Sequence, residues 1–256
     1  MSPKWSSKFE IKPGRWVFVP TPAAIENGNK IKKTIEACWI PPSNYYHLKD
    51  GGHVEAIKIH LRNTQFIHLD ITNFFGCVSK NRITRNLKGL VGYEAAKEIA
   101  ESSTVLRPCV LPFGFVQSTI IASLCLYKSR LGSYLVQLQK SGVTISVYMD
   151  DIILSTNREK INVLANELSF DEVKAELKNQ AAMSGFPLNV EKEHGPAHTI
   201  TAYNIELSHE SMHIEPSRLA ILIDDYSKTD NEHVKNGIYG YINSINPEQV
   251  LELSCT

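Results

Sequence analysis

The sequence predicts an α+β fold: a small antiparallel sheet with acids at its strand ends, covered by helices. Three observations predict it. Residues 145–147 and 152–154 are short apolar, β-rich runs flanking Tyr148-Met149-Asp150-Asp151, the pattern of a hairpin buried on both sides with carboxylates at its tip. A second apolar run, Ile67-His68-Leu69, closes on Asp70, eighty residues before Asp150. Longer segments, above all 118–139, carry apolar residues at helical spacing.

Adjacent carboxylates repel each other, and strand interiors avoid Asp. A lone Asp-Asp is ordinarily a solvated turn, and Asp70 alone would be an ordinary strand-terminal acid. The apolar flanks argue instead for a buried cluster, whose repulsion a divalent cation relieves. Hard cations take oxygen ligands, and phosphoryl transfer uses metal ions to hold nucleophile and leaving group in line. Asp70, Asp150 and Asp151 are therefore candidate ligands of two Mg²⁺ ions, with Mn²⁺ as a substitute.

The remaining elements follow in order. Residues 1–16 read as an extended lead-in, with Lys4, Trp5, Lys8, Lys12 and Arg15 set among Pro and Ser; residues 17–21 read as a strand ended by Pro20 and Pro22. A helix is predicted over 30–39, capped by Asn29 and closed by Pro41-Pro42. After Gly51-Gly52, residues 54–62 read as a helix or a strand pair. Two helices are predicted at 80–90 and 93–102, joined near Gly89 and Gly92, then a Pro-bounded connection over 103–112. One long helix covers 118–139, with Ile121, Leu124, Leu131, Leu135 and Leu138 inward. A second covers 164–184, interrupted near Ser169; residues 199–207 and 211–214 form a β-hairpin. Pro216, Glu232 and Pro247 open three closing helical segments.

With 43% hydrophobic and 21% charged residues, the composition is that of an ordinary soluble globular protein. No signal peptide, lipidation signal or membrane-spanning apolar run is read, so a cytoplasmic protein without membrane attachment is expected. The five cysteines (Cys38, Cys77, Cys109, Cys125, Cys255) form no Cys-x-x-Cys pair, and buried free thiols are the expected state. Net charge is zero, but residues 1–90 hold fourteen Lys and Arg against six Asp and Glu. A basic amino-terminal third facing a phosphate backbone would produce this asymmetry, as would chance drift of surface charge. Overall neutrality suits a dedicated template, or a partner protein or second copy that supplies further contacts.

Four blocks in order resemble those of reverse transcriptases. Tyr148-Met149-Asp150-Asp151 resembles the family's catalytic loop. His68-Leu69-Asp70-Ile71-Thr72-Asn73-Phe74-Phe75 resembles its first catalytic block, in the paired-Phe form of bacterial retron, group II intron and defence-associated enzymes. Leu111-Pro112-Phe113-Gly114-Phe115-Val116-Gln117-Ser118 resembles the block before a long helix, departing from it with Phe113 in place of Gln and without its Pro. Gly185-Phe186-Pro187-Leu188-Asn189, followed by Lys192, resembles the block that places a lysine near the departing pyrophosphate. Within the family, the chain resembles most the unknown-group enzymes associated with phage defence.

The resemblance implies a right-hand polymerase: lead-in and fingers at 1–66, palm at 67–207 with a helical insertion about 80–110, and a short helical thumb at 208–256. It implies RNA-directed DNA synthesis from dNTPs on a nucleic-acid primer, with a non-coding RNA as template. Asp70, Asp150 and Asp151 would hold the metals, helped by the Ile71 carbonyl. Phe75, five positions past Asp70, would shut out a ribose 2′-hydroxyl, or is simply a core residue beside Phe74. Lys192 would protonate or neutralise pyrophosphate, or is a surface lysine between Glu191 and Glu193. Lys49, Lys58 and Arg62 are candidate triphosphate contacts, or solubilising charges. Gly114 allows close backbone approach to template or nucleotide, and Gln117 is placed to take over the missing polar role. A template-independent or protein-primed nucleotide adder on the same palm, a non-catalytic nucleic-acid scaffold, and an RNA polymerase remain open.

Overall fold

The computed structural model describes residues 3–105, 109–163 and 166–254. The chain opens with a hairpin of β1 (Trp5–Lys12) and β2 (Arg15–Pro20), which makes a paired strand of what the sequence reads as a lead-in. The first helix, α1, runs Pro22–Cys38, eight residues earlier than expected at its start. Thr21 caps it by accepting the Ala24 N–H, and Pro22 occupies the first turn, where its missing N–H costs nothing. A 3₁₀ turn at Tyr46–Leu48 and helix α2 (Gly52–Lys58) lead to β3 (Gln65–Asp70). Helices α3 (Lys80–Val91) and α4 (Tyr93–Ser103) pivot on Gly92, whose φ of 84° suits glycine. Part of the expected Pro-bounded connection, residues 106–108, lies outside the described residues.

The predicted long helix is two: α5 (Ser118–Tyr127) and α6 (Arg130–Lys140). Ser129 breaks it by accepting the Gly132 N–H, and a side chain at Gly132 would lie 2.3 Å from the Leu126 carbonyl oxygen. The apolar spacing runs through the break, which hid it. Strands β4 (Thr144–Tyr148) and β5 (Asp151–Thr156) then form the acidic hairpin. A small hairpin, β6 (Ile161–Val163) and β7 (Asn166–Leu168), replaces the start of the next predicted helix, whose first residue, Leu164, lies outside the described residues. Helix α7 (Phe170–Met183) begins only after Ser169, which forms a reciprocal capping box with Glu172. After β8 (His194–Ala197), the expected two-stranded hairpin is a three-stranded sheet of β9 (Thr199–Ala202), β10 (Ile205–Ser208) and β11 (Ser211–Ile214). Tyr203 and Asn204, with φ of 57° and 60°, make the unforeseen turn. Helices α8 (Pro216–Lys228) and α9 (Glu232–Ile245) and a 3₁₀ segment, Pro247–Ser254, close the chain.

The central sheet has the order β4-β5-β3-β8, all antiparallel. Alternation along β3 and β5 divides the core. Ile67, Leu69, Ile152 and Leu154 pack into the helical cluster with α3, α5, α6 and α7, whereas Phe66 and Ile153 pack towards β9–β11 and α8. Of the described cysteines only Cys125 is fully buried; Cys109 is exposed, and Cys38 and Cys77 are intermediate, against the expectation of buried thiols. Cys255 lies outside the described residues. Among the described residues no helix is long and apolar enough to cross a membrane.

Candidate functional site

Register places the acids together. Asp70, last residue of β3, lies directly opposite Asp151, first residue of β5, and Asp151 also pairs with Tyr148. The intervening turn is Met149-Asp150, with Met149 at a φ of 58°. A positive φ at the first central residue of a two-residue hairpin ordinarily calls for Gly, so Met149 is held under strain. His47 supports it: its Nδ1 accepts the Met149 N–H at 2.9 Å while its Nε2 meets Ser123 Oγ at 2.6 Å. Burial pushes His47 down to about 4, which keeps Nδ1 free to accept.

Backbone hydrogen bonds lock the cluster into the sheet. The Ile71 N–H donates to the Asp150 carbonyl at 2.8 Å, the Thr72 N–H to the Pro187 carbonyl, and the Asn189 N–H to the Asp70 carbonyl. The segment from Pro187 therefore delivers Lys192, whose Nζ lies 2.8 Å from Asp70 Oδ2. The hydrogen bond to Asp70 raises the Lys192 pKa and keeps the ammonium charged. Asp151 accepts from His68 Nε2 at 2.7 Å. Asp150 has neither partner, and burial, with Asp151 and Asp70 beside it, pushes its carboxyl up to about 6.

Among the described residues no three acid, imidazole or thiol groups stand ready-made around a single point. Two of the three acids are turned to Lys192 and His68. The donor chemistry still fits a hard divalent cation: three carboxylates share one sheet edge, and the Asp150 carboxyl resists ionising among its neighbours.

Asp70 and Asp150, with Ile71 and Lys192, line a cleft of about 1680 Å³. The β1–β2 hairpin also lines the cleft, with Lys8, Arg15 and Trp16. Arg15 lies over the Phe113 ring at 4.3 Å and is close enough to Asp150 to draw down its pKa. Sequence reasoning missed Arg15 because what seats its local hairpin beside the cleft, the pairing of Val17 and Phe18 with Phe113, is remote in sequence. It also missed His47 and His68, whose partners are remote in sequence.

The other expected site residues lie apart from the cleft. Lys49 sits over the Tyr46 ring at 3.6 Å, Lys58 pairs with Glu55 at 2.8 Å, and the Arg62 carbonyl accepts from Asn157 Nδ2. None of the three lines the cleft. Phe75 is 5% exposed, edge-on to Phe113 at 4.7 Å, and the cleft wall is Phe74. Gly114 makes its close backbone approach to the Phe18 carbonyl of β2, where a Cβ would lie at 2.2 Å. Gln117 is buried: its Nε2 reaches Ser103 Oγ at 3.3 Å, and its Oε1 crowds Gly28 of α1.

Comparison with known proteins follows the same blocks. Residues 26–202 match the family model described as reverse transcriptase (RNA-dependent DNA polymerase). The retron Se72 reverse transcriptase of Salmonella heidelberg (strain 579083-10) is 27% identical over 158 residues, which cover 59% of this chain and 41% of that protein. The chain thus spans less than half the length of this curated relative. A chain from the segmented genome and RNA polymerase complex inside a dsRNA virus superposes with a TM-score of 0.60 at 12% identity, covering 86% of this chain and 23% of its own. The foamy viral protease-reverse transcriptase in complex with double-stranded DNA gives 0.47 at 16% identity, over 91% and 34%. The viral polymerase likeness is one of fold alone, and the fold is the right-hand polymerase. With more than half its length inside the family model, from α1 through the acidic hairpin to β9, the chain belongs to the reverse transcriptase family.

Proposed function

We propose that the chain is an RNA-directed DNA polymerase, adding dNTPs to a primer 3′-hydroxyl on an RNA template. The observation that carries this is the register that sets Asp70 opposite Asp151, with Asp150 in the turn between, on the wall of a large cleft faced by basic side chains. Asp70, Asp150 and Asp151, with the Ile71 carbonyl, would hold two Mg²⁺ ions or Mn²⁺ in their place. When bound, the metals supply acidification of the 3′-hydroxyl and neutralisation of the leaving pyrophosphate.

This chain's own residues do the rest. Lys192 holds a proton at Nζ beside Asp70, positioned to neutralise or protonate pyrophosphate. Arg15 lines the same cleft as Asp150, near enough to act on its charge, and would take the triphosphate role for which Lys49, Lys58 and Arg62 are poorly placed. Phe75, behind Phe74, backs the surface that a ribose 2′-hydroxyl would meet. Replacing Phe75 by Val is expected to raise ribonucleotide incorporation relative to deoxynucleotide by about tenfold or more. Single-nucleotide extension with paired dNTP and rNTP would read this; an unchanged ratio returns Phe75 to the core.

In this reading residues 1–66 and the helical insertion of 80–110 are fingers, 67–207 palm and 208–256 thumb. The template is a non-coding RNA and the setting bacterial antiphage defence in the cytoplasm, as the family resemblance implies. A partner protein or second copy would supply the contacts that a neutral chain lacks.

A template-independent or protein-primed nucleotide adder is the second reading. It is favoured by Gln117, whose amide is turned into the protein instead of towards a template. The test is to purify the chain with its co-purifying nucleic acid, add labelled dNTPs and Mg²⁺, and sequence the product, with Asp150→Asn alongside. Product complementary to a bound RNA supports templated synthesis; homopolymer or repeats without complementary RNA support the second reading. Incorporation by neither protein would point to a missing partner, or to a palm kept for binding nucleic acid alone.

A further inference from the structure

His68 lies two residues before Asp70 on β3, so both side chains project from the same face of the sheet. Register sets His68 opposite Ile153 and Asp70 opposite Asp151, which makes His68 and Asp151 diagonal neighbours. The imidazole uses that diagonal, meeting Asp151 Oδ1 at 2.7 Å. An ionised carboxylate only accepts, so the hydrogen is on Nε2.

The rest of the surroundings hold the ring still. His68 is 5% exposed, stacked on His194 with centroids 6.1 Å apart and planes 5° from parallel, and tilted against Tyr203. Its Nδ1 is buried with no partner. A buried ring nitrogen without a partner costs stability, so an apolar side chain would suit this position better if packing were its only task. Resting on the metal reading of the acid cluster, we propose that His68 is a positioning residue for Asp151. It pins one carboxylate oxygen and fixes the direction in which the other is presented to a cation. Outer hydrogen bonds of this kind orient ligating carboxylates.

The test uses the full chain and Mn²⁺ alone, with free ion followed by its electron paramagnetic resonance signal and folding by circular dichroism. His68→Leu is expected to weaken Mn²⁺ binding about tenfold or more. His68→Gln, whose amide N–H can replace the Nε2 donor, should retain affinity within about threefold. In a double-mutant cycle, His68→Leu should add nothing to Asp151→Ala, which removes the acceptor that His68 holds. Should the leucine variant fail to fold, His68→Asn, too short to reach Asp151, takes its place under the same expectation. Parent-like Mn²⁺ affinity in the leucine or asparagine variant, or loss in the glutamine variant equal to theirs, would overturn the proposal. So would multiplying effects in the double variant. Asp150→Asn runs beside them: unaltered Mn²⁺ binding there would sink the metal site itself, a different failure.

Discussion

Replacing Asp150 by Asn is expected to suppress nucleotide addition about a thousandfold or more while making the metal-free protein more stable at neutral pH. The first follows from removing a carboxylate that the metals would need, the second from removing a buried charge. Burial first, then Asp151 and Asp70, raise the Asp150 carboxyl from 3.8 to about 6. Below pH 3.8 the group is protonated in folded and unfolded chains alike. As pH rises from 3.8 to 6, the unfolded chain gives up the proton while the folded protein keeps it, so stability is lost across that range and levels off above it. The loss at pH 8 is at most about 3 kcal/mol, from roughly 1.4 kcal/mol per pH unit. An asparagine keeps the shape and never ionises, so its advantage should be full at pH 8 and largely gone by pH 4. Thermal melts of metal-free parent and variant at those two pH values, set beside dNTP incorporation, check both halves. A variant no more stable than the parent at pH 8 would remove the electrostatic account.

Gly114→Ala is expected to uncouple the β1–β2 hairpin from the body of the protein. The added methyl would sit 2.2 Å from the Phe18 carbonyl oxygen, at a residue whose φ of 101° strains any L side chain. The contact it would break includes the Phe18 N–H to Phe113 carbonyl hydrogen bond, 2.9 Å long. Strain and clash together put the cost at about 3 kcal/mol, which the hairpin can escape by swinging away. Because Arg15 moves with the hairpin, the KM for dNTP should rise about tenfold while Mn²⁺ affinity holds. A normal KM in the folded variant would mean that the hairpin does not meet the nucleotide.

How far the sequence could be read depended on whether the signal was local. Asp70, Asp150 and Asp151 stood out because acids are out of place at the ends of apolar strands, and alternation along 65–70 and 151–156 set the register that joins them. Lys192 was legible from its block, although only the fold brings it onto Asp70. Misreadings arose where the deciding partner was distant. Arg15 looked like part of a coil because its place beside the cleft is set by the pairing of Val17 and Phe18 with Phe113, almost a hundred residues on. Lys49, Lys58 and Arg62 had the right charge and sequence neighbourhood, but local partners or remote placement keep them from the cleft. Gln117 looked available to a template until α1 brought Gly28 against it. The break at Ser129 was hidden because apolar periodicity does not register a cap, and the need for Gly132 comes from a carbonyl across the break.

The hydrogen bond from the Ile71 N–H to the Asp150 carbonyl carries a wider consequence. It ties the end of one acid-bearing strand to the hairpin that carries the other two, so the spacing of the carboxylates is the spacing of a sheet ladder. Such a ruler does not stretch to suit an ill-fitting substrate. In the proposed reading, discrimination between right and wrong nucleotides would fall to other parts of the cleft lining, among them the β1–β2 hairpin that pairs with Phe113.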